Sequence, residues 1–357
     1  MTDPGRERRL LRGPNFLAAL LALVAVFVVV IAGGFDAHAA LGAFWRGSVG
    51  SSYAFFSVTL VRATPLVLLG LAVALAFRAG VLNIGAEGQL LAGASAAVAV
   101  GLSCRAWPGV LLVPSELAAG VAAGAAWSAI AAVLKRRFGV LEVISTLMLN
   151  FIAQYGVSYL VRGPMQEPTR VYPYTVQLTD AGRLPPLVGE LHVGFVLAVA
   201  LAIGLWWMLR STATGYRMRV VGAGAAAAAS AGRVRVERVA LGAFLASGAV
   251  AGLGGAVQAT GVTYALYEGI SPGYGYTAIA VALLARLHPV GVLGAGVFFG
   301  ALEAGAAAMQ RDAGVPSVFV AVIEALVVLA VLALDRARET AASRTAPTVA
   351  PPVAEAG

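Results

Sequence analysis

The chain has 357 residues, of which 60% are hydrophobic and only 12% are charged, about half of the charge that a soluble domain carries. This composition favours a polytopic membrane protein over a soluble enzyme. The net charge of +8 does not indicate nucleic-acid binding, because the basic residues are scattered between apolar runs. A single cysteine, Cys104, excludes an intrachain disulfide and a cysteine-based metal cluster.

Ten apolar runs predict an all-α polytopic membrane protein with about ten transmembrane helices. They cover residues 16–31, 54–77, 88–103, 109–134, 141–161, 191–209, 239–260, 276–285, 290–309 and 315–334. The first run could also be part of a signal peptide, since Ala37-His38-Ala39 resembles a cleavage site. We expect it to be retained, because it is long and many more spans follow. A re-entrant segment near 52–65 or 261–276 is the main alternative to this count.

Charge gives the orientation of the spans. With the N-terminus inside, ten spans place the C-terminus inside too, and 18 of the 25 basic residues then lie in inner loops or tails. That asymmetry obeys the positive-inside rule. We therefore expect both termini to be cytoplasmic. We expect residues 1–15 to form an inner tail, 16–334 the transmembrane domain, and 335–357, which are rich in Pro, Ala and Thr, a disordered cytoplasmic tail.

The segment 77–90 is a cluster of polar residues between two uncharged apolar runs. It contains Arg78, Asn83, Glu87 and Gln89, interleaved with glycines. Polar groups beside a bilayer core are costly, so they mark a pathway, a contact or a turn. We interpret the start of the segment as an inner turn, and we expect Asn83, Glu87 and Gln89 to lie on a pathway or at a subunit contact.

The fifth span carries Glu142, Thr146, Asn150 and Gln154 at spacings of four, with Ser145 beside them. In a helix this spacing places the side chains in one slowly drifting stripe. Lipid would leave their polar groups unpaired, so the stripe must face protein or water. Two interpretations stay open: hydrogen bonding between helices, or the lining of a translocation path.

Several catalytic patterns fail on inspection, so we predict no catalytic and no metal site. The only lysine, Lys135, follows Leu134, whereas an ATP-binding Walker loop needs a lysine after glycine. Gly269-x-Ser271-Pro272-Gly273 matches a serine-hydrolase pattern, but Pro272 lacks the N–H that an oxyanion hole requires. Gly222-Ala-Gly224-x-x-Ala227 matches a dinucleotide-binding pattern without the strand that should precede it. The three histidines are dispersed.

The basic segment 210–238 is the longest inner link. Residues 225–229 are all alanine and favour a short helix, which we expect to lie parallel to the membrane and to dock on a cytosolic partner. An unstructured linker is the alternative.

Four stretches together resemble membrane permeases of ABC importers, in the branch that serves ribose-type sugars and nucleosides. They are Phe77-Arg-Ala-Gly-Val-Leu-Asn-Ile-Gly-Ala-Glu-Gly-Gln89, Glu142-Val-Ile-Ser-Thr-Leu-Met-Leu-Asn150, the stretch from Gly273 to Pro289, and Ala313-Gly-Val-Pro-Ser317. The resemblance covers residues 61–334. Within the branch they look most like nucleoside-type permeases that work with a basic-membrane-protein-like lipoprotein.

This resemblance implies one permease subunit of an ATP-driven importer in the bacterial cytoplasmic membrane, moving a nucleoside or simple sugar by alternating access. The implied partners are a cytosolic ATPase, which alone uses ATP and Mg²⁺, a second permease subunit and a solute-binding lipoprotein. The chain itself would bind no cofactor. A branched-chain amino-acid permease is the nearest rival.

An ion-coupled secondary carrier is a further alternative. Such a carrier needs intramembrane carboxylates, for which Glu142, Glu303 and Glu324 are candidates.

The resemblance also implies that residues 214–232 couple the permease to the ATPase. The residues that carry this expectation are Gly215, Arg217, Arg219, Gly222, Ala226 and Gly232. The family's usual Gly-x-Asn-Pro start is replaced here by Gly222-Ala-Gly-Ala.

Overall fold

The structure is a computed structural model that describes residues 33–230 and 234–316, together with residues 322, 325, 326 and 329. Its contacts divide the chain into two compact units, residues 42–309 and the two ends that flank them. In the flanking unit, the Asp36 carboxylate accepts hydrogen bonds from the backbone N–H groups of His38 and Ala39 and so caps the helix that begins at Ala37. The contacts described below lie within residues 42–309.

The described residues form eleven α-helices and one short hairpin. The helices are α1 (Ala37–Ser48), α2 (Leu60–Arg78), α3 (Ala86–Ser103), α4 (Gly109–Phe138), α5 (Glu142–Arg162), α6 (Gly194–Ser211), α7 (Ala213–Ala223), α8 (Ala225–Ser230), α9 (Val236–Gln258), α10 (Tyr274–Leu284) and α11 (Pro289–Ala313). Strands β1 (Pro186–Val188) and β2 (Leu191–His192) pair antiparallel. Wide π-helical turns, Ala54–Thr59 and Ala259–Thr263, precede α2 and follow α9.

Six helical segments of the described chain are long and apolar enough to cross a membrane. They are Ala54–Arg78, Gly109–Phe138, Glu142–Arg162, Gly194–Ser211, Val236–Thr263 and Pro289–Ala313. Each coincides with a predicted span to within four residues. The predicted third and eighth spans correspond to α3 and α10, which are helical but shorter or less apolar. The predicted first span, Glu324 and most of the tenth span lie outside the described residues.

Helix α2 lies at the centre of the unit formed by residues 42–309, and every residue from Leu66 to Ala76 is buried. Helices α3, α4 and α9 pack closely through glycine. A Cβ on Gly124 would overlap backbone atoms of Gly248 and Gly252, and one on Gly93 would overlap Gly252. The patterns Gly120-x-x-x-Gly124 in α4 and Gly248-x-x-x-Gly252 in α9 therefore mark a helix contact, because glycine lets two helix backbones pack closely.

Two helices begin inside the unit rather than at its surface. The coil 81–85 that leads into α3 has Val81, Asn83 and Gly85 buried, and α10 begins at the buried Tyr274. We call the end that carries Arg78, Gly80 and Glu142 the Gly80 end, and the end that carries Gly182 and Glu268 the Gly182 end. The chain reverses at Gly80 with a φ of +74°, which glycine adopts without steric cost.

Two predicted links contain helices. Residues 35–52 read as a polar connection, because Asp36, His38 and Arg46 interrupt the apolar pattern, yet α1 occupies most of them. The basic segment holds two helices: the alanine run forms α8, as predicted, and α7 precedes it.

Candidate functional site

A buried amide pair fixes the start of α3. The Asn83 Nδ2 donates to Gln89 Oε1 at 2.9 Å, and the Gln89 Nε2 donates back to Asn83 Oδ1 at 3.0 Å. The Asn83 Nδ2 also donates to the Ser247 hydroxyl of α9 at 2.8 Å, and that hydroxyl donates to the Ala72 carbonyl of α2 at 2.7 Å. The pair thus joins three elements. Because both amides are buried, these bonds offset a large desolvation cost.

Asn150 of α5 braces the same coil from the other side. Its Oδ1 accepts from the Gly88 N–H at 2.8 Å, and its Nδ2 donates to the Ile84 carbonyl at 3.0 Å and to the Tyr276 hydroxyl at 3.3 Å. The side chain is 2% exposed. The Asn150 amide therefore supplies hydrogen-bond partners for backbone groups at the start of α3, which have none within that helix. It also links α5 to α10.

Glu87 joins the N-termini of α3 and α10. Its Oε2 accepts from the Gly275 N–H at 2.6 Å, and it also interacts with the Ser271 side chain. A carboxylate at a helix N-terminus is favoured by the free N–H groups and by the helix dipole. Ser271, the serine of the discarded hydrolase pattern, accepts from the N–H groups of Gly273 and Tyr274, so it shapes the turn into α10.

The first turn of α5 lies at the Gly80 end. Glu142 forms an ion pair with Lys135, and its Oε1 accepts from the Leu82 N–H at 3.2 Å. Ser145 and Thr146 are buried and donate to carbonyls of their own helix: Ser145 to the Leu141 and Glu142 oxygens, Thr146 to the Glu142 oxygen at 2.7 Å. These two hydroxyls satisfy themselves locally, which suits a packed position.

The structure brings the seven predicted residues together around the coil that precedes α3. They are Asn83, Glu87, Gln89, Glu142, Ser145, Thr146 and Asn150, and each has a partner within the chain. Glu303 also lies in the described part of the chain, on α11, and takes part in an interaction. Contact of any of them with a solute or a second subunit stays a prediction.

The described part of the predicted coupling segment forms the short helices α7 and α8, which Gly224 separates, at the Gly80 end. The Thr212 hydroxyl accepts from the Gly215 N–H at 3.1 Å and caps α7. Gly215 is buried against the Met208 carbonyl, while Arg217, Arg219 and Ala226 are exposed. Gly232 lies outside the described residues. The segment therefore presents two arginines to its surroundings.

Gly222 sets α7 directly on the turn that follows α2. A Cβ at Gly222 would overlap the Arg78 carbonyl oxygen. The Arg78 Nε in turn donates to the Leu287 carbonyl at 3.2 Å, beyond the end of α10. This turn thus touches both α7 and the chain just beyond α10, and it leads into the coil that Asn83 and Asn150 hold in place.

Ser247 and Tyr276 belong to this hydrogen-bond network but were not predicted from the sequence. Ser247 looked like one more small residue beside Gly248, and Tyr276 like part of an apolar helix start. A serine in a span of glycine, alanine and leucine was the available signal, since an intramembrane hydroxyl needs a partner. Within the described residues there is no group of three His, Cys, Asp or Glu side chains that could hold a metal ion.

Sequence comparison finds one family over most of the chain. The profile of the family described as "Branched-chain amino acid transport system / permease component" matches residues 55–332. No solved structure matches the chain.

Three curated relatives illustrate the similarity. The glucose ABC transporter permease protein TsgB13 of Haloferax volcanii is 40% identical over 89% of this chain and 86% of its own length. The guanosine ABC transporter permease protein NupP of Bacillus subtilis is 36% identical over 88% of this chain and 90% of its own. A second guanosine permease protein of that bacterium, NupQ, is 31% identical over 68% of this chain and 78% of its own.

Proposed function

This chain belongs to the family of permease components typified by branched-chain amino acid transport systems, and we propose that its own solute is a neutral nucleoside or simple sugar. Its similarity to permeases named for glucose and guanosine places it in the sugar and nucleoside branch of ABC importers. It is a multi-pass membrane protein and a permease subunit, not an enzyme. In this family the ATPase is a separate subunit.

The single observation that carries the solute class is the agreement among relatives aligned over nearly the whole chain, which are named for a sugar and for a nucleoside. The charges of the site are consistent with it. Of the two carboxylates around the coil, Glu142 is paired with Lys135 and Glu87 caps α10. A zwitterionic amino acid requires charged partners in a low-dielectric path, which makes a branched-chain amino acid the second candidate.

The family implies an ATPase and a second permease subunit. We propose a heterodimer, because two permeases of one bacterium, both named for guanosine, resemble this chain. We also propose a solute-binding lipoprotein that delivers the solute, a site in the bacterial cytoplasmic membrane, and ten spans with both termini cytoplasmic. ATP and Mg²⁺ would bind only to the ATPase. The permease would then change conformation because the ATPase binds the conformations of the permease with different affinities.

The Gly80 end offers a physical route for coupling. In this proposal residues 214–232 dock on the ATPase, with Arg217 and Arg219 attracting acidic groups of that partner. A displacement of α7 would be transmitted to the Arg78 carbonyl through its close contact with Gly222. The coil 81–85 follows at once and is held by Asn83 and Asn150, so a shift of α7 would reorient the start of α3. Alternating access needs such a two-state element.

The test is reconstitution of the permease pair, the ATPase and the receptor in proteoliposomes. Uptake of labelled guanosine or glucose should require ATP and the receptor, and excess leucine should not compete. Uptake of leucine would favour the branched-chain amino-acid alternative. Uptake without ATP that collapses with the proton gradient would identify a secondary carrier and overturn the proposal.

A further inference from the structure

A cavity at the Gly80 end is lined by three arginines. It has a volume of about 270 Å³ and is bounded by α7 and by the start of α9. The residues that line it are Arg217, Val234, Arg235, Arg238 and Val239. Pockets that enclose a whole drug-sized ligand measure about 300–1,000 Å³, so this cavity suits a smaller chemical group.

The spacing of residues at the start of α9 explains why its two arginines share the cavity. Arg235, Arg238 and Val239 are three or four positions apart, so they are neighbours on the helix surface. Glu237 stands between them in sequence but does not line the cavity. Arg217 comes from α7, which packs against α9. Two helices therefore contribute positive charge to one cavity.

These positive charges have no counter-charge in the described part of the chain. Arg217, Arg235 and Arg238 are exposed, and none of the three guanidinium groups forms an ion pair there. A cleft lined by charges of one sign concentrates ions of the opposite sign. A guanidinium also presents its N–H donors as a planar fork that matches phosphate and carboxylate. The cavity therefore attracts an anion, and these two groups fit arginine best.

The depth of the cavity favours a lipid phosphate over a carboxylate of a cytosolic protein. The helical segment Val236–Thr263 has 28 residues, which corresponds to about 42 Å along its axis. That length matches the thickness of a bilayer with its headgroups, roughly 40–45 Å. Arg238 lies in the first turn of the segment and Arg235 directly precedes it, so both arginines lie at the level of the headgroups.

Aromatic residues indicate the same level on the neighbouring helices. Near the end of α6, Trp207 is 60% exposed, and the Arg210 guanidinium lies 5.7 Å from the centre of the Trp206 ring. Tyr216, which directly precedes Arg217 on α7, is 60% exposed as well. Exposed Trp and Tyr side chains are enriched where a membrane meets water. Arg217 therefore also lies near the membrane interface.

We propose that this cavity binds the phosphate of an anionic phospholipid from the leaflet at the Gly80 end. The three arginines hold the phosphate, and the two valines contact the glycerol carbons beside it. A lipid bound there links α7 to the start of α9. Arg219, which does not line the cavity, is then the arginine of α7 that faces the ATPase in the coupling proposal. The inference requires a membrane but no particular solute, so it is independent of the proposed solute class.

Native mass spectrometry of the assembled importer in detergent measures this binding directly. Titration with phosphatidylglycerol should show a tightly bound molecule. The double variant Arg235→Gln/Arg238→Gln should bind it at least about tenfold more weakly, because two charges that contact the phosphate are lost. The matched control is Arg136→Gln/Arg137→Gln, which removes the same charge from exposed residues in the last turn of α4. This control should keep the tight site.

A variant of the other wall and two further ligands complete the test. Arg217→Gln should also weaken the binding of phosphatidylglycerol several-fold, and it keeps the test decisive if the double variant does not assemble. Phosphatidylcholine, whose headgroup has no net charge, should bind at least about tenfold more weakly than phosphatidylglycerol. Glycerol 3-phosphate should not displace the lipid at equal concentration, because it lacks the acyl chains whose burial adds to affinity.

Four results would overturn the inference. The two double variants could bind phosphatidylglycerol equally well, which would place the bound lipid elsewhere. Phosphatidylcholine could bind as tightly as phosphatidylglycerol, which would show that the arginines do not select an anion. Glycerol 3-phosphate could displace the lipid at equal concentration, which would identify a site for soluble phosphate. The isolated permease could bind the lipid while the assembled importer does not, which would make the cavity a contact for an acidic group of the ATPase.

Discussion

The Glu87 carboxylate and the Gly275 N–H meet at 2.6 Å, and this contact joins two helices that both begin inside the bundle. A helix that starts there leaves its first N–H groups without partners unless side chains supply them. Glu87 supplies one for α10, and Asn150 supplies another for α3 through Gly88. The start of α3 is therefore held by specific polar contacts rather than by apolar packing alone.

Gly275→Ala should destabilise the protein. The added Cβ would overlap the backbone N of Glu87, and overpacking of this kind costs about 1–3 kcal/mol. The thermal midpoint in detergent, followed by size-exclusion chromatography, measures the effect. Gly156→Ala is the matched control, because a Cβ there meets no atom within 4 Å. A midpoint for Gly275→Ala equal to that of the control would contradict the close contact.

Asn150→Leu should weaken the start of α3. The substitution leaves the Gly88 N–H and the Ile84 carbonyl without their partner, and each unsatisfied buried group costs about 1–3 kcal/mol. Detergent stability and assembly with the partner subunits should fall together with uptake. Met148→Leu, on the exposed side of the same helix, should change neither. Loss of uptake with normal stability would show instead that Asn150 itself lines the path.

Gly222→Ala should uncouple ATP hydrolysis from transport. The new Cβ would displace α7 from the Arg78 carbonyl, and we expect uptake to fall by about tenfold, which corresponds to about 1.4 kcal/mol. The measurement is the ratio of solute moved to ATP hydrolysed. Gly224→Ala is the control, since its Cβ would lie 3.7 Å from Ala227, an ordinary contact. An unchanged ratio for Gly222→Ala would exclude this turn as the coupling route.

Hydropathy was enough to predict the six long spans of the described chain, because each of those apolar runs is about as long as a bilayer is thick. Hydropathy missed α1, because the charges of Asp36 and Arg46 indicate a connecting loop only if a helix at this place would have to be buried on every side. The α5 stripe was recognisable by its spacing, but spacing shows which residues share a side and not what that side touches. Whether Asn150 meets Gly88 or a solute depends on where the coil 81–85 runs, a long-range property that local pattern does not contain.

The same limit explains Ser247 and Gln154. Ser247 contacts Asn83 across 164 positions of sequence, so its role emerges only when α2, α3 and α9 are packed together. Gln154 belonged to the predicted stripe with Asn150, yet the structure separates them: one is buried, the other exposed. A stripe that drifts around a helix necessarily passes from one environment to the next.

Acid should weaken the contact between α5 and the loop before α10. Hydrogen bonds from Arg162 and Ser158 lower the pKa of Glu268 from 4.5 to about 2. Because its pKa is lower in the folded than in the unfolded chain, Glu268 stabilises the fold fully above pH 4.5 and progressively less as pH falls toward 2. The thermal midpoint in detergent should therefore drop between pH 5 and pH 3 more steeply for the unmodified chain than for Glu268→Gln. Glu190→Gln, on an exposed loop residue, should keep the unmodified profile, and parallel profiles for all three would show that the Arg162 contact does not stabilise the fold.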